Sequence, residues 1–115
     1  MYLLHVEKNP EKALVEFKAS LPADWQESSQ GLNNFSWWCF ENKIGLEEAR
    51  QMAEKGVELA SPGRGKAMML DTLAEIENAL GNPSKSLELM KQATTEDPKQ
   101  SHYQQQVKRF EELSK

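Results

Sequence analysis

Helix breakers punctuate this chain at wide intervals, and between them the apolar residues recur every three or four positions. The breaks fall at Asn9-Pro10, Leu21-Pro22, Gly31, Gly45, Ser61-Pro62-Gly63-Arg64-Gly65, Gly81-Asn82-Pro83 and Asp97-Pro98. A spacing of three and four places side chains on one face of an α-helix, and no stretch alternates with the period of two that a strand requires. Residues 46–60 put Leu46, Ala49, Met52, Ala53, Gly56, Val57 and Ala60 on one face, with Glu47, Glu48, Glu54, Lys55 and Glu58 mostly opposite. Helices are likewise expected over 10–20, 66–80, 83–95 and 99–113, with Pro83 suited to a first turn and Gly81 to a stop. The fold class is all-α. Connections this short make successive helices antiparallel neighbours.

Two internal echoes favour a stacked array over a closed bundle. Asn82-Pro83-Ser84-Lys85-Ser86-Leu87-Glu88-Leu89-Met90-Lys91 echoes Asn9-Pro10-Glu11-Lys12-Ala13-Leu14-Val15-Glu16-Phe17-Lys18, and Leu70-Asp71-Thr72-Leu73-Ala74 echoes Leu32-Asn33-Asn34-Phe35-Ser36. The small residue that closes the second echo lets two helices approach closely. Self-similarity at such periods is the mark of helical-repeat proteins.

The best unit runs from Ala67 to about Gln100, with Leu70, Leu73 and Ala74 on a first helix, Gly81 at the turn, then Ser86, Met90, Ala93 and Pro98. These spacings resemble the 34-residue signature of tetratricopeptide repeats, and the block from Leu32 to Ala93 is similar to a recurrent bacterial two-repeat block. Ser86 stands where the family usually has Ala, and Glu77 where it usually has a large aromatic. Keeping both units in register requires about one extra residue near Gly45 and about three near Arg64. The resemblance implies antiparallel helix pairs stacked as a right-handed superhelix. It divides the chain into a partial repeat over 2–29, repeats over 30–64 and 66–98, and a capping helix over 99–115. A chain that begins in mid-repeat is expected to be a piece of a longer protein.

Chemistry is sparse. One cysteine cannot make a disulfide, a CxxC pair or a cysteine-built zinc site, and Cys39 between Trp38 and Phe40 reads as a small buried hydrophobe. His5 and His102 lie at opposite ends without a ligand set, so neither a metal nor another cofactor is expected. Gly63-Arg64-Gly65-Lys66 lacks the spacing of a phosphate loop and reads as an inter-repeat turn. A net charge of -4 argues against nucleic acid, and no apolar run approaches the roughly 18 residues of a membrane span. No catalytic constellation is present, so the expected class is a non-catalytic interaction module.

The resemblance implies a groove lined by the first helix of each repeat, which holds a protein or peptide. Carried over, its residues are Asn33, Trp37, Phe40 and Glu41, then Met68, Asp71, Glu75 and Asn78. Trp37 is the natural anchor, because aromatic residues dominate interface energies. Residues 67–98 hold six acids against Lys85 and Lys91, a balance that suits a basic or an apolar partner better than a carboxylate tail. A truncated first repeat leaves Leu3, Leu4, Leu14 and Phe17 as a face for a homodimer. Similar bacterial blocks occur as tails of thioredoxin-like proteins, so the alternative is a tail that braces such an upstream domain.

Overall fold

The structure, a computed structural model, describes residues 10–115. The start of the expected partial repeat, with Leu3, Leu4 and His5, lies outside the described residues. Six α-helices are described: α1 (Pro10–Ser20), α2 (Ser29–Asn42), α3 (Leu46–Leu59), α4 (Arg64–Ala79), α5 (Pro83–Glu96) and α6 (Ser101–Leu113), with a 3-10 turn at Trp25–Glu27 before α2. No strand occurs among the described residues, and the chain is all-α.

Local chemistry explains the boundaries. Ser28 caps α2: its hydroxyl oxygen accepts the Gly31 N–H at 3.0 Å, satisfying one of the open donors of the first turn. At the other end Lys43 takes a left-handed φ of 57°, and Gly45 follows at φ 61°, where a side chain would be strained. Pro83 occupies the first turn of α5, where its missing N–H costs nothing. The N-terminus of α4 has no side-chain cap of its own, but the Glu96 carboxylate accepts the Gly63 N–H at 2.8 Å. The open end that the Gly63-Arg64-Gly65-Lys66 sequence leaves for an anion is therefore served by the chain itself.

Packing follows from these faces. α2 with α3 and α4 with α5 form two antiparallel hairpins; α4 also lies against α2 and α3, and α6 against α5. Leu32, Phe35, Cys39, Ala49 and Ala53 are buried in the first hairpin, and Leu70, Leu73, Ala74, Met90 and Ala93 in the second. Each hairpin is clamped by one buried serine. In the first, Ser36 of α2 donates to the Ala49 carbonyl at 3.3 Å; in the second, Ser86 of α5 donates to the Ala74 carbonyl at 2.6 Å. The contact is the same with donor and acceptor exchanged, and the pairs are 13 and 12 residues apart. The two turns themselves, 43–45 and 80–82, are equal in length, so the difference does not lie in the turn at Gly45.

α1 is held by aromatic packing. Phe17 stacks on Trp38 with centroids 4.4 Å apart, and Leu14 lies against Gly45. Trp25 packs on Phe35 at 4.7 Å, and its turn presses on Gly31 so closely that a Cβ there would strike the Trp25 backbone. Leu14 and Phe17, expected to form a dimer face, are thus half-buried against the chain's own core.

Candidate functional site

The face of interest is built by α2, α4 and α6, which run side by side in the same direction. Short antiparallel hairpins force that arrangement, and two hydrogen bonds fix its register. Asn33 Oδ1 accepts from the Thr72 hydroxyl at 2.6 Å, joining α2 to α4. Asp71 Oδ1 accepts from Gln106 Nε2 at 3.1 Å, joining α4 to α6. Asp71 is the counterpart of Asn33 in the Leu32/Leu70 echo, so the second bond repeats the first one step along. A hollow of about 50 Å³ lies between Gln30 and Asn33 on one side and Gly65 and Met68 on the other.

The eight expected residues divide into two groups. Trp37, 38 % exposed, packs at a tilt of 36° against half-buried Phe40 at 5.1 Å, and Met68 is 42 % exposed. Glu41 is exposed one turn beyond Trp37. The Lys43 ammonium sits over the Phe40 ring at 4.5 Å, a cation–π contact within the chain. Asn33 is spoken for by Thr72, and the Asn78 carbonyl accepts the Gly81 N–H at 3.0 Å, closing α4.

Asp71 and Glu75 form the second group, and neither is a free acid. His102 Nε2 lies 3.2 Å from Asp71 Oδ2. Gln106 Nε2 donates to Glu75 Oε2 at 2.8 Å, and Arg109 Nη1 reaches both Glu75 oxygens at 3.0 and 2.8 Å. α6 thus supplies a partner to both acids of this face, and Arg109 balances one of their two charges. His102, Gln106 and Arg109 are the site residues that sequence reasoning missed. Their spacing of four and three on one helix face was the available signal, but the face they meet belongs to a helix that is not their hairpin partner.

Trp38 and Trp25, unlike Trp37, belong to the packing. Cys39 is fully buried, and burial pushes its thiol up to about 12, with the Glu48 charge adding to the effect. A thiol held protonated is a packing group rather than a nucleophile. An open cleft of about 520 Å³ lies beside Arg50, Glu77, Asn82 and Lys85. Buried Glu77 accepts from Asn82 Nδ2 at 3.0 Å and faces Arg50 Nη1 at 3.6 Å, while Glu47 also pairs with Arg50. Both carboxylates thus face the single guanidinium of Arg50. Among the described residues no group of three or more His, Cys, Asp or Glu is placed to hold a metal, and no helix is long and apolar enough to cross a membrane.

No protein-family model, curated protein or solved structure matches this chain.

Proposed function

We propose that the chain is a non-catalytic protein-interaction module, an array of tetratricopeptide-like repeats that receives a partner segment along the face of α2, α4 and α6. The observation that carries this reading is the exposure of Trp37 and Met68 on neighbouring helices of one face, beside half-buried Phe40. Large apolar groups gathered on one surface favour burial against a partner. The exchanged serine clamps and the Asn33–Thr72 and Asp71–Gln106 bonds support the repeat reading, since each recurs in successive units.

The test is a displayed random-peptide library selected on the full chain and counter-selected on Trp37→Ser. Peptides that lose about tenfold or more in affinity on Trp37→Ser and Met68→Ser, with unchanged circular dichroism, support the reading. A selection that yields only peptides indifferent to both substitutions ends it. A tail that braces a thioredoxin-like domain would instead show Trp37 protected from quenching in the parent chain without any peptide.

A further inference from the structure

α6 does more than close the last apolar face. We infer that it serves as a built-in basic ligand for the acidic row of α4, so that the groove selects an uncharged apolar segment and rejects a basic one. The inference rests on the groove being the binding surface.

Every oxygen of the two carboxylates already has a partner. Asp71 Oδ1 is met by Gln106 and Oδ2 by His102; Glu75 Oε1 is met by Arg109, and Oε2 by both Arg109 and Gln106. All four oxygens take their partners from α6. The acids also lie beneath the groups that hold them: the Glu75 and Asp71 side chains are 12 % and 20 % exposed, against 44 % for Arg109. An incoming lysine would have to displace a guanidinium already tethered in place, whose effective concentration far exceeds that of any free ligand. Nor can α6 swing aside cheaply, because Tyr103 and Phe110 anchor it in the core.

The far end of the face behaves in the same way. At that end the Phe40 ring already carries a cation from the chain itself, Lys43 at 4.5 Å, beside the exposed Trp37. With cations supplied from within at both ends, the accessible apolar remainder is Trp37, the edge of Phe40 and Met68, with the exposed Glu41 at its margin. That remainder complements an apolar segment without net charge.

Fluorescence anisotropy on the full chain tests this with two labelled probes of equal length, octalysine and an uncharged peptide of leucine, tryptophan and serine. The wild type is expected to bind the uncharged peptide and to ignore octalysine. The double variant His102→Gln/Arg109→Gln should gain about tenfold or more in octalysine affinity, equivalent to ~1.4 kcal/mol. That gain should fade with added salt, while Arg109→Lys, which keeps the cation, should show none. Wild type that binds octalysine as tightly as the double variant overturns the inference, as does a double variant that gains nothing while circular dichroism shows α6 intact. The octalysine arm does not depend on Trp37, so it fails separately from the groove reading, which falls if Trp37→Ser leaves the uncharged peptide's affinity unchanged.

Discussion

Three helical glycines meet three different surroundings, and the same substitution at each should have three different outcomes. Replacing an exposed helical glycine by alanine normally gains about 0.5–1 kcal/mol, because glycine loses more conformational freedom on folding. Gly65, in the first turn of α4, has nothing within 4 Å of an added Cβ. Gly65→Ala should show the full gain. At Gly56 an added Cβ would sit 2.5 Å from Met69 Cε and 3.0 Å from its sulfur. Those atoms end a flexible side chain that can turn away, so the propensity gain and the packing cost should nearly cancel in Gly56→Ala. At Gly31 the obstacles are the Trp25 oxygen, Cα at 2.7 Å and carbonyl carbon at 2.9 Å, all backbone. Nothing there can rotate; the whole turn must move and loosen Trp25 from Phe35. Overpacking of this kind costs about 1–3 kcal/mol, which exceeds the propensity gain. Gly31→Ala should therefore lower Tm by several degrees, at roughly 4 °C per kcal/mol for a domain of this size, while Gly65→Ala raises it. Urea and thermal unfolding followed by circular dichroism measure all three. A Gly31→Ala variant as stable as the wild type would refute the close docking of Trp25 on α2.

The remaining expectations concern the buried groups. Phe110→Ala should cost about 3–5 kcal/mol, because the ring is fully buried and fastens α6 to the core; equilibrium denaturation checks it. Arg50→Ala should destabilise by about 1–3 kcal/mol by leaving the Glu77 carboxylate buried opposite no cation, and adding Glu77→Leu should recover most of the loss in a double-mutant cycle. The Cys39 thiol is raised from 9.0 to about 12 in the folded chain, so folding favours its protonated form. Its contribution is complete below pH 9 and is lost as the pH rises towards 12, at up to about 1.4 kcal/mol per unit. Burial and the Asp71 charge also raise Tyr103, which adds to the alkaline loss above pH 10. Urea unfolding at pH 8 to 10 should show a shallower decline for Cys39→Ala than for the wild type.

The helices were legible because each is written in its own residues. α3 and α5 lie within a residue of the spans that periodicity and proline placement predict, and α1 coincides with its span. α4 and α6 begin two residues from expectation, because apolar spacing does not mark a first turn that carries no side-chain cap. What stayed hidden was the identity of cross-helix partners. Asp71 and Glu75 look like free acids until the register of α4 against α6 places Gln106 and Arg109 over them. Gly31 looks like a helix breaker, yet it lies inside α2 because the Trp25 turn needs room for its backbone. Both depend on how elements distant in sequence approach, which no local pattern encodes.

The buried Glu77 illustrates how one fold tolerates two solutions at matching positions. In the first hairpin the place is held by Cys39, with Leu14 and Gly45 nearby; in the second, Glu77 meets Arg50 and Asn82. A buried ion pair seldom stabilises more than a well-packed apolar replacement. The apolar version in this same chain therefore supplies the reference against which the Arg50/Glu77 cycle can be judged.

The central claim is that partners bind on the face of α2, α4 and α6. Chemical-shift mapping tests it most directly, by titrating the isotope-labelled full chain with the tightest peptide from the library. The account predicts shifts at the Trp37 indole N–H and at backbone amides around Asn33, Trp37 and Met68. Shifts confined to the outer faces of α1, α3 and α5 would contradict it.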